Sequence, residues 1–66
     1  MDLYKLKERL SQERGYNVTW IIMARELGTM SVQTLFRWRD GVYDVPKRGL
    51  QLIELTYPQH WEFIQK

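Results

Sequence analysis

In the stretch LGTMSVQTLFRWRDG, Gln33 and Arg37 stand four residues apart, with Val32 and Thr34 alongside Gln33. A carboxamide and a guanidinium both present flat hydrogen-bonding edges, the first with donor and acceptor paired, the second with a fork of donors. Such edges match base edges. Gln33 can pair bidentately with adenine, Arg37 can reach guanine or a phosphate, and Val32 or the methyl of Thr34 can pack on a thymine methyl. Ser31, just ahead, can cap a helix whose first N–H groups would suit a phosphate. Phe36 has two readings, a thymine-methyl contact or a core residue.

Other chemistry finds little footing. The chain has no cysteine and a single histidine, His60, so neither a disulfide framework nor a Cys/His zinc site is expected. No carboxylate pair, nucleophile–base set, phosphate loop or metal-ligand spacing is present. Hence no catalytic residue, metal or cofactor is expected, and no small-molecule ligand is evident. His60, beside Trp61, reads as packing or solvent-facing.

Helices must position the candidate residues. Leu3, Leu6 and Leu10 recur at spacings of three and four among charged residues, which predicts an amphipathic helix ending near Gly15. Asn17 or Thr19 can cap a second helix, about 19–27, which Gly28 stops. Ser31 opens a third, about 31–40, with Leu35 and Trp38 on one face; Val32, Gln33, Thr34, Phe36 and Arg37 flank them and point outward. Gly41 ends it. Asp44 can cap a fourth helix, with Pro46 in its first turn and Leu50, Ile53 and Tyr57 along one side. Gly49 weakens that turn, and Pro58 closes the helix. Over the tail, 58–66, Trp61 and Ile64 suit another helical turn. No strand-like alternation or repeat competes.

The fold class expected is therefore all-α, four to five short helices in one domain over 1–66. Sixty-six residues sit near the lower size for a self-sufficient core, but three Trp, four Tyr and two Phe favour a folded chain. The longest apolar run, Trp20 to Ala24, is far short of the roughly 20 residues that span a bilayer. The start alternates charge rather than forming a leader, so a cytoplasmic protein is expected, with no membrane partner. Net charge is +2. Over 31–49, Arg37, Arg39, Lys47 and Arg48 outnumber Asp40 and Asp44, making the middle the cationic part, whereas 50–66 sets Lys66 against Glu54 and Glu62. A mildly basic chain is compatible with nucleic acid without requiring it.

The segment MARELGTMSVQTLFRWRDG resembles the helix-turn-helix of Xre/Cro-type regulators: an Ala-x-x-Leu-Gly end to the second helix, a Ser-capped third helix and a Trp-x-x-Gly exit. Val45-Pro46 followed by LQLIEL is similar to the helix that comes next in that family. The likeness spans about 3–57. It implies a lambda repressor-like domain that binds double-stranded DNA as a transcriptional regulator, a repressor on an inverted-repeat operator. Small Ala24 suits the close crossing of two helices, and Leu27, Leu35 and Trp38 fill the wedge between them. Base contacts are then expected from Val32, Gln33, Thr34, Phe36 and Arg37, and phosphate contacts from Thr19, Ser31, Arg39, Lys47 and Arg48.

Two departures stand out. Thr29 and Met30 both separate the turn glycine from Ser31, one residue more than the usual pattern; this spacing is similar to small phage-encoded regulators, including anti-CRISPR-associated repressors. Arg39 replaces the acid that often follows the tryptophan. SVQTLFRWRDG also resembles the opening helices of MerR-like and excisionase domains, which would imply a bending protein with a β-wing after Gly41.

Trp20, Ile21, Ile22 and Met23 point all the way round a helix and cannot all enter one small core. Trp61, Phe63 and Ile64 either fold back on them or meet a second subunit. A homodimer is expected, with Leu55, Tyr57, Trp61, Phe63 and Ile64 at its interface, because two half-sites add binding energy that one small module lacks. A protein-interaction module using the aromatic tail is the further alternative.

Overall fold

The computed structural model describes residues 1–28 and 30–65. They form five helices: α1 Leu3–Arg14, α2 Trp20–Glu26, α3 Val32–Arg39, α4 Lys47–Thr56 and α5 Trp61–Ile64. No strand occurs among the described residues, so the all-α expectation holds and the β-wing implied after Gly41 is absent there. Turns and bends lead directly into α4 instead. No helix among the described residues is long and apolar enough to cross a membrane.

Each helix begins and ends for a local reason. The Asp2 carboxylate accepts from the Lys5 N–H at 3.1 Å, and Gly15 closes α1 in the left-handed region at φ 75°. Of the two candidate caps for α2, Thr19 is the one used: its Oγ1 accepts from the Ile22 N–H at 3.2 Å. Ser31 caps α3 by accepting from the Gln33 N–H at 3.3 Å. In α4 the expectation is corrected. Pro46 occupies the cap position itself, with no side-chain cap bond, so Asp44 caps nothing. Proline has no N–H to lose there and its fixed φ suits the entry to a helix.

Leu3, Leu6 and Leu10 are buried under the other helices together with Val18, Met23, Leu27, Leu35 and Ile53. The Ser11 hydroxyl accepts from the Val18 N–H at 2.9 Å, which turns the α1–α2 connection inward. Across the helices, the Glu26 carboxylate accepts from Arg14 at 3.0 Å and from the Tyr57 hydroxyl at 2.7 Å, tying α1, α2 and the end of α4. The Arg14 guanidinium, then the Tyr57 hydrogen bond, hold the Glu26 carboxyl below its usual range. Burial, reinforced by Glu26, pushes the Tyr57 phenol up.

The tail is built into this core. The Asp2 N–H donates to the Ile64 carbonyl at 2.8 Å, joining the two ends of the chain. His60 is buried, with Nε2 2.9 Å from a Glu13 oxygen. Tyr57 and Ile64, expected at a dimer interface, are 4% and 0% exposed within the chain's own core. That expectation is corrected for both: a side chain already surrounded by its own chain has no face to offer a second subunit.

Candidate nucleic-acid interface

α2 and α3 pack against each other across a tight connection. The Met30 N–H donates to the Ala24 carbonyl at 3.0 Å, and Gly28 takes φ 94°, a left-handed conformation that costs an L side chain strain. Thr29, half of the expected turn extension, lies outside the described residues. α3 is rooted by Leu35, which is 0% exposed, and by Trp38, whose indole lies over Gly49 of α4. Gly49 is thus less a weak point of α4 than the gap that admits the indole.

The expected base-contact residues separate into two groups. Gln33 and Arg37 are exposed on the same stripe of α3. Val32 is half-buried and packs against the core, and Thr34 is half-buried beside it. Phe36 leaves the outward set and is corrected: its ring meets Trp20 edge-on at 6.3 Å between centroids, and Trp20 in turn meets Tyr4 at 5.4 Å.

The expected phosphate contacts divide likewise. Thr19 and Ser31 are exposed at the first turns of α2 and α3, and Lys47 and Arg48 are exposed at the start of α4. Neither Lys47 nor Arg48 has an acidic partner among the described residues. Arg39 is corrected. Its guanidinium lies 4.5 Å from the Phe36 centroid, 5.1 Å from Trp20 and 5.5 Å from Tyr4, and makes a two-pronged pair with Asp40 at 2.8 Å on each side. Arg39 holds the Asp40 carboxyl below its usual range. Two of its N–H groups are therefore spent on Asp40 and its face lies on the ring cluster, so it is removed from the outward set.

Of the remaining interface residues, Leu55 is 78% exposed, Phe63 is exposed with the Arg9 guanidinium 3.9 Å above its ring, and Trp61 is half-buried against the core. Sequence reasoning missed one neighbour of Arg37. Tyr43 is exposed, and its ring centroid lies 5.8 Å from the Arg37 guanidinium. The signal was available in Gly41, whose position after a Trp-Arg-Asp helix end predicts a left-handed cap that folds the next residues back on α3. No group of three or more His, Cys, Asp or Glu suited to a metal occurs among the described residues.

The described residues form a small all-α domain of five helices. No protein-family model, curated protein or solved structure matches it.

Proposed function

We propose that α2, the Gly28 turn and α3 act as a helix-turn-helix, with α3 entering the major groove, and that the chain is a sequence-specific regulator of transcription. The observation that carries this reading is the pair Gln33 and Arg37, exposed one turn apart on a helix whose opposite side is anchored by buried Leu35. Four residues of helix advance about 6 Å, close to two base-pair steps of about 3.4 Å. Gln33 reads adenine and Arg37 reads guanine on pairs two steps apart.

The electrostatics agree with that placement. Ser31 and Thr19 lie at helix N-termini, where N–H groups and the helix dipole favour phosphate, and Lys47 and Arg48, which make no ion pair among the described residues, supply positive charge. Repression follows as the simplest regulatory outcome, since a bound dimer over a promoter excludes polymerase. The dimer uses Leu55 and the exposed edge of the tail at Phe63 and Trp61; recognition helices then lie about 34 Å apart over an inverted repeat.

Base-resolved binding tests the reading. Gln33→Ala and Arg37→Ala each lose about 1 to 3 kcal/mol of discrimination, confined to particular base pairs. Lys47→Ala and Arg48→Ala weaken all sequences alike and reduce the salt slope by about one each. Equal losses on random duplex from all four variants contradict specific readout.

A further inference from the structure

Arg14, Arg37 and Arg39 are held in different ways. Arg14 is paired with Glu26 and Arg39 with Asp40, whereas Arg37 has no acidic partner among the described residues and faces the ring of Tyr43. A carboxylate binds a guanidinium in its plane and occupies the very N–H groups that a base edge needs. An aromatic ring attracts the cation through its own face. The in-plane donors of Arg37 therefore stay open for a hydrogen-bonding partner while the side chain is held.

The position of Tyr43 is set by the backbone. Asp40 ends α3, and Gly41 takes φ 74°, so the chain reverses at the helix end. The Gly41 N–H donates to the Trp38 carbonyl at 3.3 Å, and the Val42 N–H donates to the Arg37 carbonyl at 3.0 Å. This pair of bonds is the Schellman closure, which fixes the two residues after the helix relative to its last turn. Arg37 is thus bonded through its own carbonyl to the residue that precedes Tyr43. The Tyr43 ring has no core duty to explain its place: it is 60% exposed, and Val42 beside it is 62% exposed.

We propose that Tyr43 is a positioning residue for Arg37: its ring, placed by the Gly41 closure, holds the guanidinium in a narrowed set of rotamers with its donor edge open toward a guanine. This rests on the DNA reading above and sharpens it, because specificity at that base then belongs to the Arg37–Tyr43 pair rather than to Arg37 alone. Restricting the side chain before binding reduces the rotamer freedom lost on binding. The ring contributes at the exposed end of the cation–π range, equivalent to about a two- to five-fold change in affinity.

The test begins with a duplex selected by the wild-type chain from a random pool and measures affinity at fixed salt by fluorescence anisotropy. Tyr43→Ala is expected to bind it about two- to five-fold more weakly, with the loss confined to the base pair at which Arg37→Ala also loses discrimination. Tyr43→Leu, which keeps apolar bulk without a π face, should match Tyr43→Ala; Tyr43→Phe should match wild type. In an Arg37→Ala background, Tyr43→Ala should cost nothing further, and the salt slope should be unchanged throughout.

An equal loss with and without Arg37 overturns the positioning role, as does no loss at all. If Tyr43→Phe is as weak as Tyr43→Ala, the hydroxyl rather than the ring is what matters, and the proposal falls. These results leave the DNA reading standing. Failure of the wild-type chain to enrich any sequence is a different result: it removes the DNA reading first, and this proposal with it.

Discussion

Gly49→Ala separates a packing role from a propensity effect. Gly49 is helical and does not have positive φ, so its dihedrals admit alanine, and an ordinary helix interior would gain about 0.5 to 1 kcal/mol from the change. Here the added Cβ would stand 2.7 Å from Cη2 and 3.1 Å from Cζ2 of Trp38, and 3.0 Å from Cγ1 of Val45. Carbon–carbon contacts are favourable at about 3.5 to 4.0 Å, so the rigid indole must retreat by about 1 Å. Overpacking of that kind costs about 1 to 3 kcal/mol. The balance is a destabilisation of about 0 to 2.5 kcal/mol, centred near 1 kcal/mol, and that central value lowers the melting point by about 4 to 8 °C for a domain of this size. Thermal unfolding followed by circular dichroism reads the shift. Trp38→Phe removes the two clashing ring atoms and leaves only the Val45 methyl, so in that background Gly49→Ala should cost less than in wild type. A Gly49→Ala chain that melts at or above wild type in both backgrounds refutes the reasoning.

Glu26 has its carboxyl held low by Arg14 and Tyr57, so the stability it contributes is present above its unfolded value of about 4.3 and is lost as pH falls through the lower folded value. Acid titration of stability should therefore be steeper in wild type than in Glu26→Gln. The Tyr57 phenol is raised, so its contribution is full below about pH 10 and is lost as pH rises beyond that, a loss that Tyr57→Phe should remove. Arg39→Ala, which frees three rings and Asp40, should lower the melting point, whereas Arg37→Ala should leave it unchanged and alter base preference. Leu55→Glu should leave the melting point of dilute protein unchanged but shift sedimentation equilibrium to monomer; an unchanged dimer moves the interface elsewhere.

The helices were legible because their signals are local. Ser31, Thr19 and Gly15 act within a turn of where they stand, and the spacing of Leu3, Leu6 and Leu10 states which face is buried. Contacts between helices were not legible in the same way. Arg39 reads as a free cation until Tyr4 of α1 and Trp20 of α2 are brought beside it. Phe36 belongs to the same cluster, which explains why its spacing alone left two readings open. Gly49 looks like a flaw in α4 until Trp38 arrives over it.

Tyr57 and Ile64 show the limit most plainly. Apolar spacing tells that a side chain seeks burial but not whether its own chain or another supplies the cover, and here its own chain does. Leu55, on the opposite side of α4, has no such cover. The exposure of Gln33 and Arg37 was legible from helical periodicity because Leu35 between them had to face inward. Tyr43 was missed because its relation to Arg37 depends on a left-handed closure at Gly41 rather than on spacing within a helix.

Selection of bound duplexes from a random pool at fixed, stated salt is the most direct test of the central claim. The account predicts enrichment of an inverted repeat whose half-sites lie about 10 base pairs apart, or a multiple of it, with preference at the pairs read by Gln33 and Arg37 lost in their alanine variants. Retention of no duplex, or of all sequences alike with affinity governed by salt alone, contradicts it.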